Sequence, residues 1–131
     1  MTKRVAIIAS NGGLENAYKV LNIATAAAAT DAQVGIFFTF EGLAIIHKQN
    51  KDMLKLTPGN EHFLEGFERA NVPSIHELLE IARESGVKMI ACQMTVDVMG
   101  LNPEDFMDGV EVGGAVTFLD YAYDADVTVT F

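Results

Sequence analysis

The chain has 131 residues, of which 50% are hydrophobic and 21% are charged. This length and composition suffice for a folded domain with a buried core, so we expect residues 1–131 to form a single domain. The formal net charge is −9, from 18 acidic and 9 basic residues. Nucleic acids and anionic membranes are bound through clustered Lys or Arg, so we expect neither as a partner.

The cysteine and histidine content limits the cellular compartment and the metal chemistry. One cysteine excludes an intramolecular disulfide framework and fits a reducing cytosol. The apolar run Val5–Ala9 is too short for a signal peptide or a membrane span, so we predict a cytoplasmic protein. The three histidines, His47, His62 and His76, lack the spacing of a zinc site, and we predict neither a metal nor a cofactor.

Five short segments have the character of β-strands. Continuous runs of apolar and β-branched residues are typical of buried parallel strands. In the last segment, apolar and polar residues alternate. The predicted strands are Val5–Ala9, Gln33–Phe40, Val87–Ala91, Val110–Val112 and Val127–Phe131. Helical segments separate them, which predicts an α/β fold: a three-layer α/β/α sandwich with a mostly parallel five-stranded sheet.

The helical segments carry start and stop signals. Ser10 or Asn11 is predicted to cap a first helix that begins near Leu14. Ser74 and Glu77 have the spacing of a capping box. Shorter helices are predicted at 43–50, 103–107 and 115–123. Residues 50–73 are the least regular part of the chain, and a connection of that length suggests a lid or a subunit contact.

Cys92 follows directly after the third predicted strand. In open α/β sheets, ligands and chemistry gather outside the carboxyl ends of the strands. A thiol at that place can be partly exposed and can face backbone N–H groups, which favour its thiolate form. The alternative is that the cysteine is simply a small buried hydrophobic residue.

Two other segments are candidates for the same pocket. Asn11, Gly12 and Gly13 form a turn after the first strand that resembles a phosphate cradle, although the full dinucleotide fingerprint is missing. Because first and third strands often neighbour each other in this architecture, we expect the turn to form a wall of the Cys92 pocket. His47 follows the second strand and could help to ionise the thiol, or could be a half-buried packing residue.

Two residues on the carboxyl side of Cys92 complete the candidate site. Asp97 lies in an otherwise apolar turn, where we expect it to fix the backbone; orienting the sulfur acceptor is the alternative. A carboxylate close to the sulfur would oppose thiolate formation. Met94, with Met99 and Met107, offers polarisable apolar walls that suit either a core or a site for sulfur-bearing ligands.

The segment Ala91–Gly100, with the sequence ACQMTVDVMG, resembles the signature of DsrE/DsrF-like proteins, and specifically of the DsrE2 branch. Segments Asp108–Ala115, Asp124–Thr128 and Phe38–Leu43 also resemble that branch, although Glu41 stands where a bulky aromatic residue is expected. The resemblance covers nearly the whole chain. It implies an α/β/α sandwich that forms homo- or hetero-oligomers and handles sulfane sulfur.

On this resemblance, Cys92 accepts sulfur as a persulfide and passes it on, as in a cytoplasmic sulfur carrier or sulfurtransferase. The implied partners are sulfur donor and acceptor proteins of the rhodanese-like or TusA-like kind, and further copies of the chain. The second cysteine of some relatives and the extra apolar segments of membrane-anchored ones are absent here. Two alternatives stay open: a flavodoxin-like binder of nucleotides or flavins, and a non-catalytic interaction or regulatory subunit with Cys92 buried.

Overall fold

The computed structural model describes residues 2–131, and these contain one five-stranded sheet. The strands are β1 (Arg4–Ala9), β2 (Gln33–Phe38), β3 (Lys88–Cys92), β4 (Val110–Gly113) and β5 (Val127–Thr130). Their order in the sheet is β4-β3-β2-β1-β5, and each neighbouring pair is parallel. The prediction of an α/β fold with a five-stranded, mostly parallel sheet is confirmed.

Helices lie on both faces of the sheet, as the predicted crossovers require. The α-helices are α1 (Leu14–Ala29), α2 (Asn50–Met53), α3 (Phe63–Arg69), α4 (Ile75–Glu84), α5 (Gln93–Met99) and α6 (Ala115–Ala122). Two 3₁₀ helices span Phe40–Ile46 and Pro103–Asp105. The long helices α1 and α4 pack on each other and on one face, whereas α6 covers the other face.

Side chains alternate between two cores because successive residues of a strand point to opposite faces. The larger core lies beneath α1 and α4 and takes Met89 and Ala91 from β3. The smaller core lies beneath α6 and takes Ile90 and Cys92 from the same strand. The thiol therefore faces the α6 side of the sheet.

Helix α6 is held on the sheet by aromatic side chains. An added Cβ at Gly35 would lie 2.6 Å from the Tyr121 ring, so only glycine leaves room for this ring on β2. The Tyr121 hydroxyl donates a hydrogen bond to the Val5 carbonyl (3.2 Å), and the Arg4 guanidinium lies 4.5 Å from the ring centroid. This packing holds the last turn of α6, which contains Tyr121, against β1 and β2.

Several element boundaries differ from the sequence-based prediction. Strand β2 ends at Phe38, and Phe40, with a φ of 49°, starts a 3₁₀ helix in place of the helix predicted at 43–50. Helix α1 begins after Gly13, with no side-chain cap. The predicted caps Ser10 and Asn11 were therefore wrong. The Ser10 hydroxyl donates to the Phe131 carbonyl instead (2.8 Å), which ties the chain terminus to the end of β1.

The other boundaries agree more closely with prediction. The Ser74 hydroxyl caps α4 and accepts a hydrogen bond from the Glu77 N–H (3.1 Å). The irregular stretch at 50–73 contains the short helices α2 and α3. Among residues 2–131, no helix is both long enough and apolar enough to span a bilayer.

Candidate functional site

Cys92 is the last residue of β3 and the N-cap residue of α5. The sequence places it there because the apolar strand KMIAC runs without a spacer into the helix QMTVDVM. Cys92 is paired in register with Gly113 of β4, the residue from which the chain turns into α6. The thiol thus lies between the first turns of α5 and α6, at the carboxyl edge of the sheet.

Groups that can donate hydrogen bonds lie near the sulfur. Burial raises the pKa of the Cys92 thiol, but these groups, which are the Thr95 hydroxyl and N–H, the Thr39 hydroxyl and the Met94 N–H, lower it by more. The pKa therefore lies below its ordinary value. Donors that stabilise an anion favour the thiolate, which is the nucleophilic form of cysteine.

The thiol is less accessible than predicted. Only 6% of the surface of Cys92 is exposed, because it also packs in the smaller core with Phe37 and Phe118. The next two residues along the chain, Gln93 and Met94, are exposed. The sulfur is therefore nearly covered, whereas the first turn of α5 next to it is exposed.

Asp97 lies on the exposed side of α5. Its carboxylate accepts a hydrogen bond from the Gln93 side chain one turn earlier (2.9 Å). This contact joins two side chains one turn apart on α5, so it gives Asp97 a local role within the helix. Met94 is 58% exposed and forms a surface beside the thiol rather than part of the core.

The remaining predicted site residues lie in a separate cleft. Asn11, Gly12, Gly13 and His47 all line a cleft of about 770 Å³. The His47 Nδ1 accepts a hydrogen bond from the Gln49 N–H (3.0 Å). Cys92 does not line this cleft.

The separation has a topological cause. Strand β2 lies between β1 and β3, so the expectation that first and third strands are neighbours was wrong. In addition, Leu43, which lines the cleft, belongs to the core under α1 and α4, whereas Cys92 belongs to the core on the other face. Met94 and Asp97 lie on α5, directly after Cys92. The glycine turn and His47 lie together in the cleft.

Sequence reasoning missed the two threonines at the thiol. Thr95 is the third residue of α5, a position whose side chain and N–H face the N-cap residue. Thr39 directly follows Phe38, which pairs with Ala91 in the sheet, so Thr39 leaves β2 level with Cys92. The register of two parallel strands was the signal that could have identified Thr39.

No group of three or more His, Cys, Asp or Glu residues within 2–131 is arranged to hold a metal ion.

A model of the DsrE/DsrF/DrsH-like family matches residues 1–70 and 59–130. The chain belongs to the DsrE/DsrF/DrsH-like family. It is 37% identical over 154 aligned positions to the sulfur carrier protein DsrE2 of Allochromatium vinosum, covering 95% of this chain and 96% of that protein. This similarity confirms the predicted relationship to the DsrE2 branch. The chain is also 28% identical to the uncharacterised protein YrkE of Bacillus subtilis, covering 98% and 96% of the two chains.

Two solved structures have the same fold as this chain. The ychN protein from E. coli superimposes with a TM-score of 0.71 at 24% identity over 100% of both chains. The protein MTH1491 from Methanobacterium thermoautotrophicum gives a TM-score of 0.68 at 11% identity, covering 97% of this chain and 98% of that chain. At these identities the likeness establishes the fold alone.

Proposed function

We propose that this family member is a sulfur carrier or sulfurtransferase in which Cys92 accepts sulfane sulfur as a persulfide and passes it to a partner thiol. The observation that carries the proposal is the position of the sole thiol at the end of β3 and the start of α5, with the Thr39 and Thr95 hydroxyls nearby. The 37% identity to a protein named as a sulfur carrier supports the same function.

The transfer conserves electrons at each step. The Cys92 thiolate attacks the outer sulfur of a donor persulfide, a new S–S bond forms on Cys92, and the donor leaves as a thiolate. In the second step an acceptor thiolate attacks the outer sulfur on Cys92, and the Cys92 thiolate is the leaving group. The donors from Thr95 and Thr39 stabilise the anionic sulfur before loading and after release.

The single cysteine suits a carrier. A second thiol in the same chain could attack the persulfide and divert it to an intramolecular disulfide. With Cys92 as the only cysteine, the outer sulfur stays available to a thiol of another molecule. The same cysteine usage underlies our expectation of a cytoplasmic location.

The surface next to Cys92 suits a protein partner. Met94 in the first turn of α5 and Val116 in the first turn of α6 are exposed apolar residues, and these two turns follow the neighbouring strand ends at Cys92 and Gly113. Exposed apolar residues that cluster beside a reactive group are typical of interaction sites. We propose that rhodanese-like or TusA-like donor and acceptor proteins, or another copy of the chain in a homo-oligomer, contact this surface.

Intact-mass analysis tests the proposal. The protein is incubated with thiosulfate, polysulfide or a sulfur-loaded rhodanese-type donor, and excess reagent is removed. Its intact mass is then compared with that of Cys92→Ser protein treated in parallel. We expect the mass of one sulfur atom to be added to the wild type and removed by a thiol reductant. Equal loading of the Cys92→Ser protein would contradict the proposal.

The low exposure of Cys92 favours one alternative function, a non-catalytic interaction or regulatory subunit. In that case a small alkylating reagent modifies the native thiol far more slowly than the same thiol in urea. A sulfur carrier predicts native alkylation within about tenfold of the unfolded rate, because the lowered pKa offsets the restricted access. Thiosulfate loading and alkylation on the same sample separate the two functions.

A further inference from the structure

Cys92 does not line the cleft that contains the glycine turn and His47. Its walls are the turn after β1, the 3₁₀ helix Phe40–Ile46, residues 53–58 and the segment after α5. The volume of about 770 Å³ lies within the range of roughly 300–1,000 Å³ that is common for small-molecule sites. The cleft is therefore large enough for an organic ligand.

Half of the lining residues are apolar. Phe40, Met53 and Met99 are large and are each exposed by nearly half, so they present apolar surface around the cleft. The other apolar lining residues are Leu43, Ala44, Leu56, Pro58 and Leu101. Clustered apolar side chains around a concavity favour a ligand with an apolar body.

Phe40 also has an unusual backbone conformation. Its φ of 49° lies in the left-handed region, which bulky residues rarely adopt. The Phe40 N–H donates to the Thr95 hydroxyl (3.2 Å), which holds the backbone in place while the exposed ring lines the cleft. Backbone strain of this kind concentrates at binding sites, where the surrounding structure enforces it.

One lysine lies among the lining residues. Within residues 2–131, the basic side chains in ion pairs are those of Arg4, Arg83 and Lys88, so Lys55 has no carboxylate partner. Lys55 lines the cleft itself.

Two carboxylates lie at or near the cleft: that of Glu15 is hydrogen-bonded within the protein, and that of Glu41 is exposed. The Glu15 carboxylate is engaged by the Thr57 N–H (3.1 Å), the Thr57 hydroxyl (2.9 Å) and the Asn60 side chain (3.0 Å). Glu41 lines the cleft and is exposed. An anionic ligand group is therefore attracted by Lys55 and opposed by Glu41.

We propose that this cleft binds a small amphipathic organic anion, with its apolar body against Phe40, Met53 and Met99 and its acidic group toward Lys55. The proposal does not depend on sulfur transfer, because Cys92 does not line the cleft. Protein carrying Cys92→Ser should bind the same ligands as the wild type. Failure of ligand binding and failure of sulfur loading are therefore distinguishable.

The test uses anilinonaphthalene sulfonate as the anionic probe and N-phenylnaphthylamine as its uncharged analogue. Binding is measured by fluorescence titration, and the site is located from the backbone amide shifts of labelled protein. We expect saturable binding of the sulfonate, with the largest shifts at 11–13, 40–47 and 53–58. Largest shifts on α6, or the absence of saturable binding, would overturn the proposal.

Charge variants separate this site from non-specific adsorption. Lys55→Gln should weaken sulfonate binding about two- to fivefold, and Glu41→Gln should strengthen it by a similar factor. Neither change should affect the uncharged analogue. Lys19→Gln, on the exposed side of α1, is the matched control, and an effect equal to that of Lys55→Gln would overturn the proposal.

Substitution of an apolar lining residue tests the contact with the apolar body of the ligand. Met53→Gln should weaken binding of both probes about threefold or more, because part of the buried apolar area is lost. Leu119→Gln is the control, since Leu119 is an exposed apolar residue on α6, outside the cleft. If the Leu119 variant lost as much binding as the Met53 variant, the probes would be bound elsewhere.

Discussion

The hydroxyl oxygens of Thr39 and Thr95 lie 3.3 Å apart beside the Cys92 thiol, although 56 residues separate them along the chain. The pairing of β2 and β3 explains this proximity. The two strands are parallel and Phe38 pairs with Ala91, so the next residues, Thr39 and Cys92, lie at the same level. One hydroxyl thus comes from the residue directly after β2 and the other from α5, the helix that follows Cys92. Both lower the pKa of Cys92.

Removing the Thr95 hydroxyl should make the thiol less reactive at neutral pH. Thr95→Val keeps the shape of this fully buried side chain but deletes a donor to the sulfur, so the thiol pKa rises. A hydrogen bond to a charged group contributes about 1.5–3 kcal/mol, so we expect alkylation of Cys92 to slow roughly tenfold. The rate of iodoacetamide modification, followed against pH, measures this.

The control for Thr95→Val is Thr25→Val. The Thr25 hydroxyl bonds only to carbonyl oxygens within α1, at Leu21 and Asn22, so this variant should alkylate as the wild type does. Thr39→Val should change the rate in the same direction as Thr95→Val. A pH profile unchanged in both Thr39 and Thr95 variants would mean that the hydroxyls do not act on the thiol.

Glu15 should make the stability of the fold depend on pH. Burial raises the pKa of Glu15, but hydrogen bonds from Asn60 and Thr57 lower it by more, so the folded pKa lies below the ordinary 4.5. The carboxylate thus stabilises the fold fully above pH 4.5, and this contribution is lost as pH falls through the lower folded pKa. Urea unfolding of wild type and Glu15→Gln at about pH 7 and about pH 3 measures the effect.

The wild type should exceed Glu15→Gln in unfolding free energy by about 1 kcal/mol at neutral pH, and the difference should shrink in acid. Glu61→Gln is the comparison, because its carboxylate accepts only a local hydrogen bond from the Gly59 N–H. A difference between wild type and Glu15→Gln that grew in acid would contradict this explanation.

Filling the space at Gly35 should displace α6. A methyl group there would lie 2.6 Å from the Tyr121 ring, so Gly35→Ala should lower the unfolding free energy by about 1–3 kcal/mol. Gly66→Ala is the matched control, because its added methyl group meets only the end of the Arg69 side chain, at 3.7 Å. Thermal unfolding of the two variants should separate them, and equal stability would contradict the described packing of Tyr121.

Asp97 should affect the local helix more than the chemistry. Its carboxylate is bonded to the Gln93 side chain on the exposed face of α5. Asp97→Asn should therefore change the unfolding free energy by a few tenths of a kcal/mol and the rate of sulfur loading by less than about twofold. An order-of-magnitude loss of loading in this stable variant would assign Asp97 to the reaction instead.

Local patterns predicted most of the fold. The apolar runs located all five strands to within a few residues, and the Ser74 cap located the start of α4. The sequence did not predict that Phe40 would adopt a positive φ, because nothing local favours this for a bulky residue. That conformation results from tertiary contacts, including the hydrogen bond of its N–H to the Thr95 hydroxyl.

The candidate site was only partly predictable. The position of Cys92 at the end of a strand followed from the apolar pattern, and Met94 and Asp97 followed because they lie on the next helix. Grouping Asn11–Gly13 with the thiol depended on the order of strands in the sheet, which a pattern along one chain does not specify. The order β3-β2-β1 instead gives this turn its own cleft with His47.

The most direct test of the account is a full cycle of sulfur loading and release on one sample. The protein is charged with a persulfide donor, isolated, and mixed with an acceptor thiol, and its intact mass is recorded at each stage. We predict a gain of one sulfur atom that depends on Cys92, followed by its transfer to the acceptor and the return of the original protein mass. A charged species that also forms in Cys92→Ser protein, or a wild type that gains no sulfur, would contradict the account.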